Sequence, residues 1–563
     1  MTGSSTLTFA QLLESAGLLP YQPQLLDEGF DDVDSLCNMT EGDMVKFGIT
    51  SEKRIILERL FAQVRSARAA TAPEVLESRP ANADAMGLAL DITAPQETLA
   101  GQSIASQVEI HGSREPAGSL LGSEMLVPAS AWTSLTADVG FVQRLLALYF
   151  CWEYPIFASL SREHFVKDFS EGRSRYCSPI LVHALLALGY CFSSRQVMAS
   201  TVQDAQPSGD QFFKEALRLL LDDQDQHLLT TVQALGIMSV RESSCGRDSE
   251  SRHYSGQSLR LAVEMGLHRT CKDGDDDESI VQAATFWGAF ALNNAWALLS
   301  RSLPSCSSGI TTRLPLKPPA SPDIEASVWV YFTDEGVALD GLREQTSHVR
   351  SVFKCFCELS ELIHDALYVL FSPVKAPPRG DVLKIYTKYL NWYDLVPDLL
   401  RLGHNSTPPV LFTHIYYHFA ILQLFQPFVN YCIPGSNTYP REVCFQATNA
   451  ISAILRSYSQ LYTFRRIPSF MPHIILTSSI MHFSLHNSLS RGQSYPHLQP
   501  SSFLLYQLTN LINQHIIDLA DMAPCHHSAK RTLYVTGILA KKDNSWQFFL
   551  NEHLPTIDPG NVE

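Results

Sequence analysis

Residues 178–189 read Ser-Pro-Ile-Leu-Val-His-Ala-Leu-Leu-Ala-Leu-Gly. A serine oxygen can accept from the open N–H groups of a helix start, and a proline in the first turn has no N–H to leave unpaired. Ser178-Pro179 therefore predicts a helix start. The run Ile180 to Leu188 is apolar on nearly every face, so the helix it forms has to be buried. Further on, Tyr254 to Met265 places Leu261 and Met265 on one face, with Leu259, Ala262 and Val263 beside them. Gly266 then stands where a left-handed residue ends a helix, and Leu267 is placed to fold back onto it. Strand-like alternation is scarce, and Val328 to Phe332 is the best short candidate. This part of the chain reads as all-α.

The whole chain has 563 residues, 45% of them hydrophobic and 18% charged. That is a globular composition with too many residues for one core, which predicts about two to four domains. Residues 5–68 carry a helical pattern. Residues 70–124 are rich in Ala, Ser, Gly, Pro and Glu without a sustained period, as expected of a disordered linker. From Ser130 to about residue 540 the chain is densely apolar and aromatic. We expect a large helical domain over 126–490 and a C-terminal helical extension and tail over 491–563. Expected breaks fall at 201–209, 243–252, 272–278, 305–323, 372–380, 403–409 and 433–441.

The formal net charge is −15, and the basic residues cluster only briefly, as at Lys53-Arg54, Arg465-Arg466 and Lys541-Lys542. Proteins that grip nucleic acid by themselves need a basic patch to neutralise phosphates, so this balance argues against direct DNA binding. Twelve cysteines are spread singly, and the N-terminus has no secretory pattern, so the thiols are expected to be reduced and buried. No apolar run reaches the ~18–20 residues that span a bilayer. Ile180 to Phe192 and Phe286 to Leu299 read as buried helices instead.

In the N-terminal region, Thr40-Glu41-Gly42-Asp43 looks like a capping box with an aspartate at its last position. Ser51-Glu52 opens another helix, in which Ile56, Leu60 and Val64 recur with Leu57 and Phe61 beside them. Together with Phe9-Ala-Gln-Leu-Leu, Gly17-Leu18, Gly29-Phe30-Asp31-Asp32 and Phe47-Gly48-Ile49, these residues resemble a sterile alpha motif (SAM) domain over nearly all of 7–67. The resemblance implies a five-helix bundle that mainly binds proteins, often other SAM domains. Asp31, Asp32 and Asp34 precede the middle helices, while Lys53 and Arg54 open the last one. Opposite charges on separate surfaces suit head-to-tail docking, which makes these five residues candidate protein-binding positions. An ordinary solvated surface is the alternative.

A second resemblance is carried by Leu145-Leu-Ala-Leu-Tyr-Phe150 with Tyr154-Pro155, by Ser178 to Gly189, and by Gly209-Asp210 with Phe212-Phe213. It continues through Thr231-Val-Gln-Ala-Leu235, Leu259 to Arg269, Phe286-Trp287, Trp392-Tyr393, and His414 to Val429. In order and spacing these blocks resemble the fungal transcription-factor regulatory domain, or middle homology region, of the nitrate-assimilation type. Three departures stand out. The family's Asp-Arg after the Phe-Trp helix is Asn293-Asn294 here, its Gly-Arg-Leu-Pro turn is Arg301-Ser302-Leu303-Pro304, and its Arg-Pro-Phe is Gln426-Pro427-Phe428. A charged network of the family is thus expected to be replaced by neutral amides. The six-cysteine zinc cluster that usually accompanies the family is expected to be absent, since Cys37 is followed next by Cys151.

Cys355-x-Cys357 and Cys525-His526-His527 are the only metal-like pairings, and neither supplies four ligands at zinc spacing. Asp222-Asp223-x-Asp225 and Asp275-Asp276-Asp277-Glu278 could hold magnesium in a terpene-type synthase, but solvated acidic loops are the plainer reading. His414, Tyr416, Tyr417 and His418 read as core packing, with a small-molecule pocket as the alternative. We therefore expect no catalytic, cofactor or metal site. The expected function is transcriptional regulation or co-regulation in the nucleus, with shuttling to the cytoplasm and a fungal metabolic gene cluster as target. Its expected partners are another transcription factor, a SAM-domain protein or a second copy of the chain. DNA would be reached only indirectly, and no membrane is involved. The alternative is a SAM-based scaffold or signalling adaptor away from promoters.

Overall fold

Ser178 does cap a helix: its hydroxyl accepts from the N–H of Leu181 at 3.3 Å, and α3 (Pro179–Cys191) follows. In the computed structural model the described residues are 132–541, apart from 158, 194–205, 223–226, 270–276, 307–313, 316–324, 326, 330, 334–344, 373–378, 432, 434–437 and 493–500. The chain divides into two units, Met1–Pro80 and Ala81–Glu563, and every described residue falls in the second. The SAM-like stretch 5–68 and the linker 70–124 lie outside the described residues.

Helix α3 is buried from Ile180 through Gly189, as its all-round apolar surface requires. It packs against α1 (Val139–Trp152), α4 (Gly209–Asp222) and α5 (Leu229–Ser244). The α1–α3 crossing is tight because of Gly189. A Cβ there would lie 2.2 Å from the backbone oxygen of Leu145. Between α1 and α3 runs α2 (Arg162–Glu171), closed by Gly172 in the left-handed region.

Helix α5 also packs on α6 (Asp248–Glu264), which ends as its sequence predicts. Gly266 has φ +77, its N–H donates to Val263 O at 3.0 Å, and Leu267 N–H donates to Ala262 O at 3.0 Å. These paired bonds close the helix's last carbonyls, and Leu267 is buried against the core. The expected break at 243–252 is much shorter in the structure, where only Cys245 to Arg247 separate α5 from α6. Ser243, Ser244 and Ser251 find partners within the helix packing. The Ser251 hydroxyl donates to Ser239 O at 2.6 Å, in the interior. The break expected at 272–278 likewise ends early, because Asp277 and Glu278 begin α7 (Asp277–Ser300).

The chain continues through β1 (Val328–Trp329) and β2 (Gln345–Thr346), a two-residue antiparallel pair with Val328 opposite Thr346. The strand candidate at Val328 is thus present but short. Behind it, Trp152 donates from Nε1 to Phe332 O at 3.0 Å and meets Trp329, Tyr331 and Tyr462 edge-on. Next come α8 (Val349–Phe371), α9 (Arg379–Asp394), α10 (Pro408–Phe425), α11 (Pro440–Leu461), α12 (Met471–Ser490), α13 (Ser501–Met522) and α14 (His527–Lys541). Sequence neighbours pack on one another from α5 to α14, and α14 also reaches back to α5. Every residue of α10 is buried, which makes it the central helix of the core. Among the described residues the fold is all-α apart from the β1–β2 pair, and no helix is long and apolar enough to cross a membrane.

Candidate functional site

Helix α5 reads Leu-Thr-Thr-Val-Gln-Ala-Leu-Gly-Ile-Met-Ser-Val-Arg-Glu-Ser-Ser, with its only charges at Arg241 and Glu242. Both are nearly inaccessible. Charges buried in a helix core must be paired, and here the fold supplies the pairs. Arg241 reaches Asp210 at the start of α4 and also Glu242, and its guanidinium lies 4.5 Å above the Phe213 ring. Glu242 also takes both nitrogen arms of Arg247, one of them at 2.9 Å. Burial works against the Arg241 charge, but the thiols of Cys245 and Cys191 and the Glu242 carboxylate hold its pKa above the ordinary arginine value. Burial raises and Arg241 lowers the Asp210 carboxyl, which ends below its usual range.

Two cysteines border this cluster. Cys191 closes α3, and Cys245 sits immediately after α5, with its N–H on Arg241 O. On the other side of the Cys245–Arg247 turn lies a cavity of about 130 Å³, lined by Gly246, Asp248, His473, Ser528, Arg531 and Thr532 among others. Arg531 on α14 donates to Gly246 O at 3.0 Å and lies 3.5 Å from Asp248. His473 on α12 is 3.3 Å from the Ser243 hydroxyl and 3.8 Å from Asp248. Burial holds the His473 ring below its ordinary pKa, against the pull of Asp248. This corner thus ties α4, α5, α6, α12 and α14 together through charges. Arg241 and Glu242 are held by charged partners, with Arg241 Nε buried and unbonded, and do not form a nucleophile–base arrangement, so the corner is suited to holding or switching helix positions.

A second polar assembly lies along α7. Asn293 exchanges hydrogen bonds with Ser305, through Nδ2 to the hydroxyl at 3.1 Å and from the Ser305 N–H at 2.9 Å. Asn294 Oδ1 lies 3.1 Å from His364 Nδ1 on α8. Arg301, at φ +53 just past the helix, donates to the amide oxygens of Gln423 and Gln426. The expected replacement by neutral amides therefore needs correction. The asparagines and glutamines are in the network, but one guanidinium stays with them, because the left-handed turn at Arg301 swings its side chain onto the end of α10.

Of the remaining sequence candidates, Asp223, Asp225, Asp275 and Asp276 lie outside the described residues. Asp31, Asp32, Asp34, Lys53 and Arg54 lie outside the described residues. Asp222 pairs with Arg218 within α4, Asp277 with His164, and Glu278 with Arg175 and Tyr176. Cys355 and Cys357 are buried within α8, and His526 bonds Ser244 instead of standing with Cys525 as a ligand pair. Among the described residues no group of three His, Cys, Asp or Glu could hold a metal ion. His414, Tyr416, Tyr417 and His418 are core residues of α10, and His414 Nε2 lies 2.8 Å from Leu400 O. The cavity beside His414 measures about 10 Å³, room for a water at most. The charged corner was missed in the sequence because 243–252 read as a break. The adjacent Arg241-Glu242 pair in an otherwise uncharged, amphipathically featureless helix was the available signal.

Comparison with known proteins runs along the same helices, from α1 through α9. Residues 146–394 match the fungal specific transcription factor domain. The matched regulatory domain thus contains Cys191, Arg241, Cys245 and Asn293, while α10 to α14 lie beyond it. Nitrogen assimilation transcription factor nit-4 of Neurospora crassa is 31% identical over 437 residues, 74% of this chain and 38% of that protein. Nitrogen assimilation transcription factor nirA of Emericella nidulans is 30% identical over 433 residues, 74% of this chain and 46% of that protein. Notoamide biosynthesis transcriptional activator notL' of Aspergillus versicolor is 28% identical over 331 residues, with 56% of this chain and 50% of that protein covered. The chain therefore spans half or less of the length of these relatives. No solved structure matches it.

Proposed function

We propose that this chain regulates transcription in the nucleus and reaches promoters through a partner protein. The observation that carries the reading is the fungal specific transcription factor domain at 146–394. Relatives named for nitrogen assimilation and notoamide biosynthesis make a set of metabolic genes the expected target class. Indirect DNA contact is supported by the net charge of −15 and by cysteines with no C-x-x-C pair among them. The SAM-like segment supplies the partner contact, with Asp31, Asp32 and Asp34 on one surface and Lys53 and Arg54 on the other. That partner is a SAM-domain protein, another transcription factor or a second copy of the chain. The described core works by holding helices in register and carries no reaction.

Fusing the full chain to a heterologous DNA-binding module upstream of a reporter tests the proposal, together with promoter occupancy of the native chain in its host. Reporter output should change only with the tether, and promoter occupancy should fall when the partner is deleted. The purified chain should bind duplex DNA weakly and without sequence preference at physiological salt. Nanomolar, sequence-specific binding would replace the partner with direct recognition. An unresponsive reporter with no promoter occupancy would favour the scaffold reading.

A further inference from the structure

Three helices begin around the cavity of about 130 Å³ beside the Cys245–Arg247 turn. Asp248 is the first residue of α6, His473 the third of α12 and Ser528 the second of α14, and all three line the space. Arg531 and Thr532 line it from further along α14, and Leu476 and Val535 add apolar wall. A helix start carries partial positive charge and N–H groups without intrahelical partners, so this convergence favours negative charge.

Two polar groups of the lining are left over. Ser528 is 2% exposed, and its hydroxyl has no hydrogen-bond partner. Asp248 Oδ1 is buried and also unbonded, with His473 Nε2 no closer than 3.8 Å. Buried polar groups normally find partners, so two orphans on one cavity point to a bound molecule. Arg531 meets Gly246 O and Asp248 Oδ2 through one nitrogen, Nη1. Its side chain is 55% exposed, which puts the remaining guanidinium N–H groups at the mouth.

The geometry points to this cavity as a binding site for a small zwitterion, a free α-amino acid with a short side chain. The carboxylate is held by Arg531, the Ser528 hydroxyl and the start of α14. The ammonium donates to Asp248 Oδ1, and the side chain lies against Leu476 and Val535. A simple anion suits Arg531 and the helix starts but sets like charge against Asp248. A simple cation suits Asp248 and is repelled by Arg531. The zwitterion satisfies both ends, and each charge gains a partner as it leaves water. At ~30 Å³ per water the space holds about four waters, or one solute the size of alanine or serine. Bound there, the ligand bridges α6, α12 and α14 and fixes the corner where α14 reaches back to α5. The site stands apart from the promoter reading, since binding is measured on the purified chain.

Isothermal titration of the full chain with L-alanine and L-serine should show a single saturable site. Propionate lacks the ammonium and alaninamide lacks the carboxylate, and each should bind at least about tenfold more weakly than alanine, as should inorganic phosphate. That comparison needs no variant. Arg531→Met and Asp248→Asn, both at partly exposed positions, should each lower the affinity for alanine at least about tenfold, while the melting temperature without ligand stays close to that of the wild type. Ser528→Ala should weaken binding less. Phosphate or propionate binding as tightly as alanine would make this an anion site and overturn the inference. Alanine binding unchanged in the Arg531 and Asp248 variants would overturn it too. So would the failure of every short amino acid to saturate at millimolar concentration, which leaves the cavity to water.

Discussion

Ser469 donates two hydrogen bonds to one carboxylate oxygen of Glu153, one from its backbone N–H and one from its hydroxyl, each at 3.0 Å. The other oxygen of Glu153 is buried without a hydrogen-bond partner. Burial raises the carboxyl to about 7, against the lowering effect of Ser469. The carboxyl at the end of α1 is therefore a buried acid held by a loop 316 residues away in sequence.

This geometry predicts a pH dependence of stability. In the unfolded chain Glu153 ionises near 4.5, but in the folded protein it keeps its proton to about 7. Between those values the native state binds the extra proton, so stability falls as pH rises through that window, by on the order of 3 kcal/mol. Glu153→Gln keeps an oxygen for Ser469 and removes the ionisation. Urea unfolding from pH 5 to 8 should show the variant gaining on the wild type as pH rises. A stability difference that is constant across that range would rule the account out.

The histidines act in the opposite direction. His418 is fully buried, neither ring nitrogen has a hydrogen-bond partner, and burial together with His414 lowers it to about 3. Burial likewise takes His414, His515 and His526 to about 4. These rings stay neutral in the native state, so their stability contribution is complete above the unfolded value of 6.5 and is lost as pH falls toward 4. His418→Leu should add about 2 kcal/mol more stability at pH 5 than at pH 7.5. The check is the acid unfolding curve of the two proteins, and identical midpoints would count against it.

At the α1–α3 crossing, Gly189→Ala should cost about 1–3 kcal/mol or more, because the added methyl meets backbone and no side-chain rotation can relieve it. Gly380→Ala on α9 is the control: nothing lies within 4 Å, so better helix propensity should leave it neutral or about 0.5–1 kcal/mol more stable. Thermal unfolding of both variants decides this. A Gly189 variant as stable as the control would mean that the helices do not approach so closely.

For the proposed SAM contact, Lys53→Glu with Arg54→Glu should weaken association of the chain strongly, and added salt should weaken the wild type, since interface charge pairs can each contribute about 1.5 kcal/mol or more. Mixing that variant with Asp31→Lys, Asp32→Lys should restore one interface. Sedimentation of each protein and of the mixture reads this out. A chain that stays monomeric at high concentration and low salt, and captures no SAM partner, would leave recruitment to the helical core.

Helix starts, ends and burial were legible in the sequence because their causes lie within one or two turns. Ser178-Pro179 caps α3 with groups three residues apart, and Gly266-Leu267 closes α6 through bonds back to Val263 and Ala262. An apolar run such as Ile180 to Leu188 can only be an interior helix. The same uniformity hides its neighbours, since a helix apolar on every face has no pattern that selects which surface meets which partner. Only the packed fold decided that Arg241 meets Asp210 and that Ser469 reaches Glu153. Those pairings join segments remote in sequence. A buried charge takes its partner from whatever the helix packing brings within about 3–4 Å.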